Sequence, residues 1–123
     1  MRVLKLKAFT RWARKEGLAD RFLRVAVDEM SSGLVDVDLG GGVFKKRVAR
    51  AGGGKSGGYR TILAADLRDR WVFLYGFAKS ERDNLDDAEL RDWKRIAKFY
   101  LELSEDMLDR AIDAGKVVEV GEW

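Results

Sequence analysis

Residues 42–63 read GVFKKRVARAGGGKSGGYRTIL, and the rest of the chain is organised around this stretch. Two short runs of β-forming residues lie on either side of a glycine-rich connection. The stretch contains no carboxylate, although the whole chain is nearly balanced, with 24 basic and 21 acidic residues. Its cations are Lys45, Lys46, Arg47, Arg50, Lys55 and Arg60. The stretch therefore predicts a β-hairpin that presents a cationic surface to an anion.

Other β-type runs surround this hairpin and are separated from it by turn residues. The four runs cover residues 35–39, 43–49, 59–65 and 71–77. The last run, WVFLYGF, is nearly all apolar, as a central strand buried on both faces would be. Tight glycine-containing connections between successive runs predict a meander of three or four antiparallel strands.

Helical patterns flank the meander on both sides. Val3, Leu4 and Leu6 indicate a short opening strand, which could be an edge strand, and two amphipathic helices follow it, ending near Gly17 and Gly33. After the meander, Asp86 and Glu89 form a capping-box pattern, Ser104 is placed to cap a further helix, and Gly115 ends that helix. Val117–Val120 form either a terminal edge strand or a loose tail.

These elements predict an α+β fold: a small antiparallel β-sheet packed against an N-terminal helical hairpin and C-terminal helices. At 123 residues the chain is expected to form a single domain over residues 1–123. No apolar run reaches the roughly 18 residues of a membrane span. No secretory signal is expected at the start, and a cytoplasmic location is expected.

Composition excludes several kinds of chemistry. The chain has no Cys and no His, so a thiolate nucleophile, a Ser-His-Asp triad and a zinc site built from Cys or His are excluded. Any acid–base catalysis must use Lys, Arg, Tyr, Asp or Glu. The charge is also polarised: residues 39–65 carry six cations and no acid, whereas residues 81–123 carry seven cations and thirteen acids. Such a distribution steers one face of a molecule toward a polyanion.

A phosphate-loop pattern lies within the opening stretch. Residues 49–56, ARAGGGKS, nearly satisfy GxxxxGK[ST], with Ala49 in the place of the first glycine. A phosphate loop must open a helix so that its N–H groups converge on the phosphates. Here Lys55 and Ser56 are followed by two glycines and the β-type residues YRTIL. Nucleotide hydrolysis is therefore not expected.

Two interpretations of the hairpin cations remain. They are either solvated charges that protect an edge strand from aggregation, or a surface for a nucleic-acid backbone. Six cations without an intervening acid favour the backbone, because edge protection does not need charges of one sign. Phe44 and Tyr59 either stack on bases or belong to the core. Lys79 and Arg82 lie in the next strand-to-helix connection, which either only caps a helix or brings further cations to the hairpin.

The segments GGVFKKRVARAGGGKSGGYRTILAA, RWVFLYGFAKSERDNL and AELRDWKRIAKFYLEL together resemble the RelE/ParE superfamily of type II toxins, and most closely its RelE-like, HigB-type branch. The resemblance covers nearly the whole chain, and its GYR and FAKSERDN elements are the most specific. It implies a compact RelE-like microbial RNase fold and ribosome-dependent, metal-independent cleavage of mRNA in the A site, with no cofactor. It also implies a cognate antitoxin, which we expect to have a helix-turn-helix.

The resemblance also implies site residues. Arg60, in the GYR strand, corresponds to the arginine that supports the transition state. Lys45 and Arg47 match basic residues of the strand before it. Lys79 matches the lysine of a GK-type segment that follows the GYR strand in the sequence. The predicted catalytic residues are Arg60, Lys79, Lys45 and Arg47. The predicted substrate-binding residues are Lys46, Arg50, Lys55, Tyr59 and Arg82.

Two positions depart from the family pattern. Many RelE relatives have an Arg next to that Lys and a catalytic Tyr slightly later, where this chain has Ser80 and approximately Asp86. The general base is therefore open, with Lys79, Arg82 or a lysine of the glycine-rich connection as substitutes. ParE relatives poison DNA gyrase and lack the cationic set, so the cations retained here favour an RNase over gyrase inhibition. A gyrase inhibitor of the same fold is the first alternative. A non-catalytic nucleic-acid-binding module is the second.

Overall fold

The computed structural model describes residues 1–50, 58–82 and 84–121. It contains a six-stranded sheet in the order β2-β3-β4-β5-β1-β6. The strands are β1 (Arg2–Leu6), β2 (Val37–Gly40), β3 (Val43–Val48), β4 (Tyr59–Ala65), β5 (Arg70–Ala78) and β6 (Val117–Glu119). The helices are α1 (Lys7–Glu16), α2 (Asp20–Ser31), α3 (Asp87–Glu102) and α4 (Glu105–Asp113). The predicted α+β class is confirmed.

The meander is formed as predicted by β2, β3, β4 and β5, which pair in succession and antiparallel. Strand β5 is buried along almost its whole length, as its apolar sequence indicated. Strand β4 begins at Tyr59, so the glycine-rich connection leads into a strand and not into a helix, as expected. Most of the phosphate-loop pattern, including Lys55, lies outside the described residues.

The opening strand differs from the prediction. Strand β1 is not an edge strand: it lies between β5, to which it is parallel, and β6, to which it is antiparallel. The sheet is therefore mixed and not purely antiparallel. Val3 and Leu4 point to opposite faces and are both buried, which requires cover on both sides of β1. Residues 117–119 form the edge strand, so the terminal segment is paired and not a loose tail.

Two hydrophobic cores lie on opposite faces of the sheet. Helices α1 and α2 cover one face, where Phe9 and Leu23 pack among the core residues of that side. Helices α3 and α4 cover the other face through Ala97 and Leu108. The chain alternates its strand residues between these two cores, so each position in β3 and β4 is assigned to one face.

Local signals set the ends of the helices. The Asp86 carboxylate accepts a hydrogen bond from the Glu89 N–H at 2.8 Å, which confirms the capping box of α3. The Ser104 hydroxyl accepts one from the Met107 N–H at 3.1 Å and caps α4. Arg70, at the start of β5, donates to the carbonyls of Tyr100 and Leu103 at 2.8 and 2.6 Å. This arginine satisfies carbonyls that the C-terminal turn of α3 leaves open.

Candidate functional site

Strand β3 divides its three consecutive cations between the two faces of the sheet. Lys45 and Arg47 alternate with Lys46, so they lie on the α3 side together with Val43, a member of the core on that side. Lys46 lies on the α1–α2 side with Phe44 and Val48. The pleat of one strand thus separates residues that are adjacent in the sequence.

Two arginines face each other on the α3 side. Arg47 of β3 is directly opposite Arg60 of β4, and Arg60 is opposite Phe77 of β5. Arg60 is 8% exposed, whereas the Arg47 side chain is 48% exposed. Like charges directly opposite each other in a sheet oppose its formation. Two guanidinium groups in this arrangement can also donate hydrogen bonds to one anion, so this pair is the centre of the candidate site.

Asp36 orients Arg47 from the segment before β2. Its carboxylate accepts hydrogen bonds from the Arg47 backbone N–H at 2.7 Å and from the guanidinium at 3.1 Å. Partial burial acts to raise the pKa of Asp36, but the two hydrogen bonds from Arg47 and the nearby charge of Lys46 lower it overall. Asp36 therefore remains ionised and holds Arg47 near Arg60.

The connection from β5 to α3 brings a third arginine to this end of the sheet. The Arg82 guanidinium lies 5.5 Å from the centre of the Phe77 ring and donates to the Asn84 carbonyl and the Glu89 carboxylate. The hydrogen bond from Arg82 is the main cause that lowers the pKa of Glu89 to about 2, and the Asp86 N–H adds to it. The pKa of Arg82 is raised by the same pairing. Arg82 is thus held as a permanent cation beside the aromatic ring opposite Arg60.

Two lysines complete the cluster. Lys45 donates to the Asn84 side-chain oxygen at 2.6 Å, which ties β3 to the connection before α3. Lys79 follows β5 directly, is exposed, and donates its backbone N–H to the Gly58 carbonyl at 3.3 Å. Because Gly58 precedes β4, Lys79 lies at the same end of the sheet as Arg60. We call Lys45, Arg47, Arg60, Lys79 and Arg82 the cationic cluster.

Three predicted substrate-binding residues are not brought to this cluster. Lys46 is 1% exposed and lies 3.0 Å from the Glu29 carboxylate, on the opposite face. Tyr59 is a core residue there: its hydroxyl donates to the Glu16 carbonyl at 3.2 Å, so the ring cannot stack on a base. Arg50 lies 5.2 Å from the centre of the Tyr59 ring and follows it to that side. These three assignments are corrected, and Lys55 lies outside the described residues.

Three residues that were not predicted from the sequence support the cationic cluster. Each contacts one of its cations: Asp36, Asn84 and Glu89. The signal for Glu89 was present in its capping-box spacing, whereas Asp36 and Asn84 become recognisable only through tertiary pairing. Asp86, near the position where many relatives have a tyrosine, has its side chain engaged in capping α3.

Within residues 1–50, 58–82 and 84–121, no three carboxylates come together so that they could hold a metal ion. None of the helices in these ranges is long and apolar enough to cross a bilayer.

A small mixed sheet with helices on both faces defines an α+β protein, and its cationic cluster is a candidate site for an anion. The family model described as the RelE toxin of the RelE/RelB toxin–antitoxin system matches residues 1–120, and the chain therefore belongs to the RelE toxin family. Membership implies a toxin that has a cognate antitoxin. The comparison with curated proteins gives no match. The HigB-type branch stays a prediction.

Proposed function

We propose that this toxin is a ribosome-dependent endoribonuclease that cleaves mRNA in the A site and so inhibits translation in the cytoplasm. The observation that carries the proposal is the cross-strand pair of Arg47 and Arg60 on the α3 side of the sheet. Two guanidinium groups on neighbouring strands can both donate hydrogen bonds to one phosphate, whose negative charge increases during the reaction.

The proposed reaction uses the RNA itself as the nucleophile. The 2′-hydroxyl loses its proton, and its oxygen attacks the adjacent phosphorus, which forms a phosphorane-like transition state. The bond from phosphorus to the 5′ oxygen then breaks, leaving a 2′,3′-cyclic phosphate, and the departing 5′ oxygen takes up a proton and becomes a hydroxyl. The protein must supply positive charge, orientation and proton transfer, and no step requires histidine.

Each cation has a proposed role. A guanidinium is always charged in proteins, so Arg47 and Arg60 act through charge and their paired N–H groups, not as bases. Arg60 is the main transition-state group because it lies in the middle of the cluster, between Arg47 and Phe77. Lys79, exposed at the rim, is the proposed proton-transfer residue, and Lys45 and Arg82 hold the flanking phosphates.

A growth and cleavage experiment tests the proposal. Arg60→Ala should abolish growth arrest on induction and lower the rate of mRNA cleavage on translating ribosomes by about 100-fold or more, which is typical of losing one group that stabilises a developing charge. The cleavage rate of Arg60→Lys should fall between those of Arg60→Ala and wild type, because lysine keeps the positive charge but loses the paired N–H donors of the guanidinium. Arg50→Ala is the matched control, since the exposed Arg50 contacts Tyr59 on the other face. Mapping of mRNA 5′ ends in a reconstituted translation system gives the readout.

The outcomes separate the functions. Cuts phased with codons, lost in Arg60→Ala and retained in Arg50→Ala, support the nuclease. Full toxicity of an Arg60→Ala/Lys79→Ala protein at normal folded yield would overturn the catalytic assignment. Loss of DNA supercoiling without mRNA cuts would identify a gyrase inhibitor. We further propose that the antitoxin has a helix-turn-helix and covers or distorts the cationic cluster; a small neighbouring reading frame with that pattern would provide its sequence.

A further inference from the structure

Helix α3 carries a second row of cations outside the cationic cluster. Arg91, Lys94, Arg95 and Lys98 follow the i, i+3, i+4, i+7 spacing and lie along one side of the helix, which we call the α3 stripe. Among the residues that the structure describes, Arg95 forms an exposed ion pair with Asp92 at 2.7 Å. Arg91 and Arg95, like Lys94 and Lys98, are like charges four residues apart, an arrangement that opposes helix formation.

The stripe is fixed against the turn between β2 and β3. Gly40 and Gly41 are left-handed, with φ of 85° and 63°, and a Cβ on either would lie 3.4 Å from the Lys94 side chain. The Lys94 side chain therefore rests on the turn, and the residue lines a cavity of about 560 Å³. The cavity is also lined by Gly42, Lys98, Leu101 and the acidic residue Glu102.

The stripe and the cationic cluster lie at the two ends of one strand. Helix α3 starts next to Asn84, which is bonded to Lys45, and its later turns reach Gly41 and Gly42 at the start of β3. From Gly42 to Arg47 the strand covers five residues, or about 16 Å at the usual rise of a strand. Lys45 lies between these ends, on the α3 side of β3. Positive charge therefore continues along β3 from one site to the other.

We propose that the α3 stripe binds the phosphodiester backbone of the same single-stranded RNA whose scissile phosphate lies between Arg47 and Arg60. The RNA leaves the cationic cluster, follows β3, and places two of its phosphates against Lys94 and Lys98. Four cations along one side of the helix, continuous with the cationic cluster through Lys45, match the repeating negative charge of a polyanion. The inference rests on the proposed function for the identity of the ligand.

Salt-dependent binding tests this assignment. The probe is a fluorescent 2′-O-methyl RNA oligonucleotide, which has no 2′-hydroxyl nucleophile, so binding is measured whether or not the protein cleaves RNA. The logarithm of the association constant falls as the logarithm of the salt concentration rises. Removing two phosphate contacts should make this slope shallower by about 1.4 and lower the affinity at 0.1 M salt by about 25-fold. Lys94→Gln/Lys98→Gln is the test variant. Arg11→Gln/Lys15→Gln, with the same charge change and spacing on α1, is the control and should leave the slope unchanged.

Two results would overturn the proposal. The first is a slope in Lys94→Gln/Lys98→Gln equal to that of the control, with both proteins shown to be folded by thermal melting. The second is an unchanged slope for the oligonucleotide together with weaker binding to vacant ribosomes, which would assign the stripe to ribosomal RNA. A shallower slope in Lys94→Gln/Lys98→Gln supports RNA binding by the α3 stripe even if Arg60→Ala stays fully toxic. Failure of the proposed cleavage mechanism can therefore be distinguished from failure of the proposed binding site.

Discussion

Lys46 provides a direct test of how the structure divides the cations of β3. The Lys46 side chain is 2% exposed, and its ammonium lies 3.0 Å from Glu29 and 3.8 Å from Asp36, whose side chains are 22% and 17% exposed. It also donates to the Leu34 carbonyl at 3.1 Å. Lys46→Met keeps the length of the side chain and removes its charge, so two partly buried carboxylates lose a cation.

The expected cost follows from this burial. Removing one partner of a fully buried ion pair costs about 3–5 kcal/mol. The two carboxylates here are partly exposed, and Asp36 keeps its bonds to Arg47, so the lower end of that range applies. We expect Lys46→Met to lower the free energy of unfolding by about 3 kcal/mol. With a urea m-value of about 1.5 kcal/mol/M, the midpoint should fall by about 2 M.

The assay is urea unfolding at pH 7, followed by tryptophan fluorescence, together with RNA binding below the unfolding transition. Lys46→Met/Glu29→Gln is the matched variant: it removes the carboxylate charge as well and should recover at least half of the loss, because an uncompensated charge causes most of the cost. Lys46→Met should keep the wild-type salt slope for RNA. If Lys46→Met kept wild-type stability and its salt slope for RNA became shallower by about 0.7, the value of one phosphate contact, the structural role of Lys46 would be refuted.

Two further predictions concern packing and pH. Gly76→Ala should lower the free energy of unfolding by about 3 kcal/mol, the upper end of overpacking effects, because its Cβ would lie 2.2 Å from the Trp12 indole; an unchanged urea midpoint would contradict this. The pKa of Glu89 is lowered from 4.5 to about 2 in the folded protein, so its ion pair with Arg82 stabilises the fold above pH 4.5 and is lost as the pH falls to about 2. Wild type should therefore exceed Glu89→Gln in urea midpoint at pH 6 and match it near pH 2, and a pH-independent difference would count against the pairing.

The meander and the helices could be predicted because their signals are local. The capping box at Asp86 and Glu89 and the apolar run of β5 determine their elements without long-range information. The position of β1 depends on pairing with residues about 70 and about 115 positions later, which alternation within Val3–Leu6 does not encode. The strand was therefore recognised, but its neighbours were not.

The division of the hairpin cations between the two faces could be predicted only in part, for a similar reason. Period-two alternation groups Lys46 with Phe44 and Val48, two apolar residues, so the sequence contained the signal that Lys46 points into a core. Tyr59 gave no such signal, because apolar residues occur on both faces of β4. Asp36 and Glu29 lie near Lys46 only in the folded chain, so their ion pairs could not be read from spacing.

The interior position of β1 also affects the order in which the protein forms. The meander and its cationic cluster come from one continuous segment, whereas β1 must wait for Arg70–Phe73 and then for Val117–Glu119 before both its edges are paired. During synthesis it is an unpaired apolar strand, the kind of segment that associates with other chains. Arg2 and Lys5 interrupt it with charge, and in the finished fold the same two residues bind Glu119 and Asp20 at 2.8 and 2.6 Å. The two charges that keep the nascent strand apart from other chains therefore form, at the end of folding, the ion pairs that hold β1 in the sheet.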